Sequence, residues 1–557
     1  MGDLNPLEKR LVRYAEDGVM LDLTDGQDDT SEAEMIAWGA DRGVRASVIR
    51  DILRGKVSLD SDPHGIRLRG ARIIGHLDLA HITAAIPLEL RNCYLASGAD
   101  LSHAVLKSVN LSDCRLSHLK LRDSHVAGQL NASGAVIGND AGTALNADGL
   151  RVFGDLILTG GFTVTGAGES GAVRLLGARI SGQLAAKDAR ISNNTGPAFA
   201  ADGLQLDGDL FLDGFIAIGA GECGAVRFPG ARVGGQVSAT GATISNKTGA
   251  ALAADRLRVG GSLLLRERFT ATGAGERGAV VVLGADVGGR LDMTGATISN
   301  STGPAVNADG LQVAEDLLLI KGFTATSGDG HPAIELTGAR LGGLSLDVVG
   351  IQDFSGSIGT IVVDGLVYGG LPEGPTVADW LSVLADRTPS YKAQPYQQLA
   401  AATRAAGHDG DTRKVLMAQR RDQIRRRAVS ALSERTWARA TGILLGYGYQ
   451  PWRALIYLFA VLAAAISLAI VAGGHHGGLA HTSRTTTPNS ACTTVEQIGV
   501  GIDLGLPLIK TTARETCTTT ATTAGQTITA AGWTLQALAW ALATLFIAGF
   551  TGAVRKT

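Results

Sequence analysis

The chain has 557 residues, a formal net charge of −2 and 45% hydrophobic residues, yet only 5% aromatic residues and 75 glycines. The balanced charge argues against a bulk basic surface for nucleic acid and equally against a bulk acidic mimic of it. The shortage of large side chains disfavours an ordinary globular enzyme core and suits a thin, repetitive one.

At the N-terminus, Met1–Val19 is charged and lacks an apolar h-region, so no secretory signal is expected there. Pro6–Asp17 and Ala46–Gly55 read as amphipathic helices on either side of the strand-like Met20-Leu21-Asp22-Leu23. Residues 1–60 are therefore expected to form a helical cap on the repeats C-terminal to them.

From Ala99 a five-residue rhythm runs through ADLSH, AVLKS, VNLSD, CRLSH, LKLRD and SHVAG. Its large apolar position falls on Leu101, Leu106, Leu111, Leu116, Leu121 and Val126. The position two residues earlier is mostly small: Ala99, Ala104, Val109, Cys114, Leu119 and Ser124. Residues 99–128 resemble the pentapeptide-repeat family. The resemblance implies that four units make one coil of a right-handed parallel β-solenoid, with both positions pointing inward. Partial matches such as Ile66-Arg67-Leu68 and Leu88-Glu89-Leu90 extend the pattern over residues 64–138.

Across residues 139–370 the repeat lengthens. Asp148, Asp202, Asp255 and Asp309 recur 53–54 residues apart, in step with Gly177-Ala178-Arg179-Ile180, Gly230-Ala231-Arg232-Val233, Gly284-Ala285-Asp286-Val287 and Gly338-Ala339-Arg340-Leu341. The unit is itself double, so the expected coil is about 27 residues, with short strands between glycine or Asn-Thr-Gly corners. One acid per long repeat reads as a ladder that stabilises corners.

Three segments, Gly166–Gly171, Gly219–Gly224 and Gly273–Gly278, match GxGxxG. In dinucleotide-binding folds that motif joins a strand to a helix. Here strand-like Ala172-Val173-Arg174-Leu175, Ala225-Val226-Arg227-Phe228 and Ala279-Val280-Val281-Val282 follow, so repeated positive-φ corners are expected and no cofactor is assigned. Cys93, Cys114 and Cys223 lie inside the repeats without metal-ligand spacing and are expected in the solenoid core.

Gly370–Pro375 ends the repeat, and helices are expected over Val377–Asp386, Pro395–Ala406 and Asp411–Arg427, the last two as a hairpin within a cap and basic juxtamembrane region spanning 375–450. Residues 454–472 and 528–554 are long and apolar enough to cross a bilayer. Arg420, Arg421, Arg425, Arg426, Arg427, Arg435, Arg439 and Arg453 precede the first span, and Arg555 and Lys556 follow the second. The loop 473–527 carries only Arg484, Lys510 and Arg514. The positive-inside rule then places the solenoid and C-terminus in the cytoplasm and the loop on the outer side of the cell (inner, or cytoplasmic) membrane. Arg420, Arg421, Arg425, Arg426 and Arg427 are candidates for contact with anionic lipid headgroups. In the loop, Cys492 and Cys517 are candidates for a disulfide, 495–509 for an interfacial or re-entrant segment, and His475, His476 and His481 read as loop residues without a metal.

Nearly the whole chain resembles a group of bacterial proteins, frequent in actinobacteria, often labelled "membrane-associated oxidoreductase". The likeness rests on the GARI-type coils, Gln394–Leu399, Ala405–His408, Arg413–Leu416 and Gly446–Leu455. It implies a membrane-anchored β-solenoid, and its label implies a redox activity for which no catalytic constellation stands out in these residues. The leading expectation is a membrane-anchored scaffold whose partners are the lipid bilayer and a protein or a second copy of itself, not nucleic acid. An oxidoreductase and a two-span pore are the alternatives.

Overall fold

The computed structural model describes residues 4–24, 31–57, 62–426, 432–482, 489–506 and 509–556, the side chains of 432–438, 448 and 552–556 excepted. The chain divides into two compact units, Met1–His408 and Asp409–Thr557. The boundary falls in the turn of the expected hairpin, so the helices on either side of it, Ala393–Ala405 and Asp409–Arg425, belong to different units.

The first unit is a parallel β-solenoid. Each coil contributes four short strands, for example Arg179–Ile180, Leu184–Ala185, Arg190–Asn193 and Phe199–Ala200. Coil-on-coil pairing assembles parallel sheets of 22, 13 and 12 strands, the largest covering two faces. In the N-terminal coils Leu88, Val109 and Leu130 stack 21 residues apart. Further on, Arg179, Gln205, Arg232, Arg258 and Asp286 stack at steps of 26–28. The coil lengthens because one face changes. Its strands grow from two residues (Tyr94–Leu95, Arg115–Leu116) to four (Val136–Asn139, Thr163–Gly166), and a longer corner comes after them.

Two buried columns explain why the repeat is double. The residue preceding each of the eleven inner strands of the 13-stranded sheet runs Ala71, Cys93, Cys114, Ala135, Phe162, Ala189, Phe215, Ala242, Phe269, Ala296, Phe323, all buried. Coils rise about 4.8 Å, and from Phe162 onward the column alternates a phenyl ring with an alanine, so that large and small side chains share the core volume of neighbouring coils. On the same face, Asn139, Gly166, Asn193, Gly219, Asn246, Gly273 and Asn300 alternate in register. Cys93 and Cys114 serve as small members of the first column, and burial raises the Cys114 thiol well above its ordinary range. Cys223 departs from expectation. It is exposed, on a corner between Gly221 (φ +96°) and Gly224 (φ +117°), where the backbone turns outward.

Both edges of the solenoid are paired within the chain. At the N-terminal end the cap is not purely helical: Leu21–Asp22 pairs with Ile66–Arg69, and Gly43–Arg45 with Arg72–Ile74. Helix Pro6–Glu16 is anchored by buried Glu8, which accepts from Arg45 Nε at 2.7 Å; that guanidinium holds the Glu8 carboxyl down at about 2. A short helix, Glu32–Ala37, was not anticipated from sequence. At the other end, helix Ala393–Ala405 lays glutamines along the last coil. Gln394 donates to Leu366 O (2.8 Å) and accepts from Gly365 N (3.1 Å), and Gln398 donates to Tyr368 O (2.8 Å). Amide side chains thus replace the next strand that the edge would otherwise recruit.

Phe215→Ala is expected to destabilise the solenoid by about 3–5 kcal/mol through the cavity it leaves. Ala242→Phe should also lower stability, because its ring would meet Phe215 on one side and Phe269 on the other. Urea unfolding of the full chain in mild detergent, followed by far-ultraviolet circular dichroism, checks both; an unchanged midpoint for Ala242→Phe would contradict the alternating column.

Candidate functional site

The GxGxxG segments are corners of the solenoid, and strands Val173–Arg174, Val226–Arg227 and Val280–Val281 come directly after them. The last glycine of each has positive φ: Gly171 (+130°), Gly224 (+117°) and Gly278 (+135°). The middle one serves as an acceptor for the next coil. Asn193 Nδ2 donates to Gly168 O (2.8 Å), Asn246 Nδ2 to Gly221 O (3.0 Å) and Asn300 Nδ2 to Gly275 O (2.7 Å). Asn193 and Asn246 also accept from the backbone of their own Thr-Gly corners, at 3.0–3.2 Å. The motif and the Asn-Thr-Gly corner are therefore two halves of one clamp.

The aspartate series reaches one coil onward. Asp148 accepts from Arg174 Nε (3.1 Å), Asp202 pairs with Arg227, Asp255 pairs with Arg277, and Asp309 accepts from Thr337 N (3.0 Å). Burial pushes the Asp202 carboxyl up despite Arg227. These acids staple neighbouring coils and do not converge.

A third series takes one residue in turn from the ADG-type and the GAR-type markers, and residue order alone does not show it to be a surface. Arg151, Arg179, Gln205, Arg232, Arg258, Asp286, Gln312 and Arg340 form one stacked, exposed column. Its five arginines take part in no ion pair among the described residues. Glycines flank the row, two residues before (Gly177, Gly230, Gly338) and two after (Gly234, Gly260, Gly342), so the guanidinium side chains stand above a low floor. Like charges stacked at strand spacing are unfavourable, and an anionic partner would relieve that repulsion.

In the second unit, Trp452–His475 and Thr523–Thr551 are helices long and apolar enough to cross a membrane. Ile456, Phe459, Trp533, Ile547 and Phe550 on them are exposed. Of the segment 495–509 expected to be interfacial or re-entrant, 507–508 lie outside the described residues and 495–505 belongs to helix Thr494–Gly505. Its Gly501 and Gly505 face the first of those helices so closely that a Cβ would lie 2.6 Å from Ile466 Cα and 2.9 Å from Leu462 Cα. This is the small-xxx-small contact of packed membrane helices. Asp503 on this helix accepts from Thr511 N at 2.6 Å.

The arginines proposed from sequence as lipid contacts are partly engaged within their own helix. Arg425 and Arg426 converge on buried Asp422 (2.9 and 3.0 Å), Arg420 donates to Gln423 Oε1 (2.6 Å), and Arg421 is exposed. Arg427 and Arg484, and the side chains of Arg435, Arg555 and Lys556, lie outside the described residues.

Cys492 and Cys517 are joined as a disulfide, with Cα atoms 6.3 Å apart. Strands Leu479–His481 and Cys517–Thr519 pair antiparallel, placing His481 opposite Cys517. His481 Nε2 lies 2.9 Å from Glu496 Oε2, and Nδ1 lies 2.8 Å from Ser490 Oγ. Hydrogen bonds from His481 and from Thr493 hold the Glu496 carboxyl below its usual range. Beside the bridge, a pocket of about 240 Å³ is lined by Cys517, Arg514, Ile528, Trp533 and Gln536 among others. His481 is thus drawn into a cluster, unlike the bystander expected from sequence.

Fold and helices together define a parallel β-solenoid protein bearing two candidate membrane-span helices. No protein-family model, curated protein or solved structure matches the chain.

Gly501→Leu should force its helix away from Ile466 and lower the stability of the detergent-solubilised chain by about 1–3 kcal/mol, the usual range for overpacking. Val495→Leu, at a position 78% exposed, should be neutral. Thermal unfolding of the two variants side by side checks this, and equal melting temperatures would contradict the close packing.

Proposed function

We propose that this chain is a membrane-anchored scaffold whose solenoid, coiled with the right hand usual for parallel crossovers, presents its arginine column to an acidic segment of a partner protein. The supporting observation is that column: Arg151, Arg179, Arg232, Arg258 and Arg340, exposed, in register with Gln205, Asp286 and Gln312, and in no ion pair among the described residues. The interior of the coil is filled by side chains, and both edges are capped, so recognition falls to the lateral faces. An extended acidic strand fits the regular spacing better than a duplex does, and the chain's bulk charge of −2 offers no general attraction for nucleic acid. Trp452–His475 and Thr523–Thr551 would anchor the protein in a bacterial inner membrane, with the arginine-rich flank and the solenoid in the cytoplasm and the intervening loop outside. Exposed Arg421 and its neighbours would then lie where anionic headgroups are available.

The full chain in detergent should bind a fluorescent poly-glutamate peptide in a salt-sensitive way. Combined Arg179→Glu, Arg232→Glu and Arg258→Glu should weaken that binding by about tenfold or more, since each 1.4 kcal/mol is worth a factor of ten. Binding indifferent to the three reversals would overturn the assignment, and tighter binding of duplex DNA than of the peptide would redirect it to nucleic acid.

Cys223 reports sidedness, because it is exposed while Cys93 and Cys114 are buried and Cys492 and Cys517 are bonded. A membrane-impermeant maleimide should label Cys223 only after cells are opened. Labelling in intact cells would place the solenoid outside.

A further inference from the structure

The loop between the two candidate span helices gathers four donors of different chemistry. One ligand atom from each of His481, Cys492, Glu496 and Cys517 lies within 4.8 Å of all the others. Separate elements deliver them. His481 and Cys517 sit on paired strands, Cys492 directly precedes the N-cap Thr493, and Glu496 is the third residue of helix Thr494–Gly505. Two thiolates, an imidazole and a carboxylate form a tetrahedral zinc donor set. Zinc bonds of about 2.3 Å to sulfur and 2.0–2.2 Å to nitrogen and oxygen put tetrahedral donors roughly 3.3–3.8 Å apart. To reach that geometry the two sulfurs, bonded to each other in the bridge, must part on reduction, His481 Nε2 and Glu496 Oε2 must open from 2.9 Å, and the more distant donor pairs must close by about 1 Å.

Supporting contacts also fit. Ser490 Oγ lies 2.8 Å from His481 Nδ1, which leaves Nε2 directed at the cluster, as the outer partner of a metal-bound histidine does. Gln497 Nε2 donates to Cys492 O at 2.8 Å and fixes the backbone beside one sulfur. The other cysteine of the bridge, Cys517, lines a pocket together with Trp533.

We propose that the Cys492–Cys517 bridge conceals a redox-gated zinc site. While the bridge is closed neither sulfur is a thiolate, and only His481 and Glu496 remain as ligands, too few for a structural site. A dithiol reductant opens it by exchange. One thiolate of the reductant attacks one Sγ and expels the other cysteine as a thiolate, forming a mixed disulfide. The reductant's second thiolate then displaces the remaining cysteine, and the reductant leaves as its own disulfide. Two electrons pass from the dithiol to Cys492 and Cys517. The metal takes the place of the thiol protons and of the His481–Glu496 contact, and those protons go to solvent. Zinc uptake thus becomes a readout of the thiol–disulfide balance around the loop, independent of what the solenoid binds.

The test uses the full chain in mild detergent, as purified and after anaerobic treatment with dithiothreitol, which is then removed before zinc is added. Elemental analysis should find about one more zinc per chain in the reduced protein than in the oxidised protein. The double variant Cys492→Ser/Cys517→Ser, which keeps the three solenoid cysteines, should show no such gain. His481→Ala should weaken uptake by about tenfold or more, taking the effect of losing a supporting contact as the lower bound. Cobalt(II) in place of zinc should give the intense visible bands of tetrahedral thiolate coordination in the reduced wild-type chain, a reading that needs no variant to fold. Equal zinc in oxidised and reduced protein, no gain over the double variant, or a weak octahedral cobalt spectrum would each overturn the proposal. So would loss of helical circular dichroism on reduction with no metal taken up.

Discussion

The rise of one coil is fixed by the hydrogen bonds between parallel strands, and the packing of the first unit is arranged on that rise. Parallel strands stack at about 4.8 Å. Large and small side chains then share the volume of the core between neighbouring coils. One buried column does so by alternating Phe162, Ala189, Phe215, Ala242, Phe269, Ala296 and Phe323. It also makes two successive coils unlike, which is why the sequence repeats every 53–54 residues while the backbone repeats every 26–28. The Asn/Gly column keeps the same phase. An asparagine corner clamps the glycine-rich corner beneath it through Gly168, Gly221 or Gly275, so the clamp needs the two corner types in turn.

The same strand geometry creates the edge problem and fixes where it is solved. A parallel solenoid ends in rows of unpaired amides and carbonyls. Here Leu21–Asp22 and Gly43–Arg45 close one end as strands, and Gln394 and Gln398 close the other as side chains. With its ends covered, the solenoid leaves its lateral faces exposed. Regular stacking turns single residues into rows there: aspartates paired between coils, and arginines left exposed. A total charge near zero therefore coexists with a strongly cationic stripe, because register sorts charges that composition averages.

In the second unit the constraints come from close helix contact and from the loop. Gly501 and Gly505 allow helix Thr494–Gly505 to approach the backbone of Trp452–Leu468, and a short two-stranded sheet brings the ends of the loop together. The disulfide and the His481–Glu496 pair sit where these elements meet.

The sequence by itself determined the parallel solenoid, its coil length, the change of repeat near residue 139, and the position of the apolar helices. These properties are periodic, and periodicity is written directly in residue order. It also exposed the GxGxxG segments as corners, since strands and not helices come after them. What it could not decide were relations between coils or across the loop. Cys223 lies within the repeats as Cys93 and Cys114 do, but it sits on an outward corner, a difference set by backbone direction. Arg179, Arg232 and Arg340 stand in the Gly-Ala-Arg markers, yet their stacking with Arg151 and Arg258 emerges only when steps of 26–28 residues bring the five onto one line. His481 and Glu496 lie fifteen residues apart without a recognisable spacing, and only strand pairing and the helix start carry them to the two cysteines. Tertiary structure decided these because distance in space, not distance along the chain, sets which donors and charges meet.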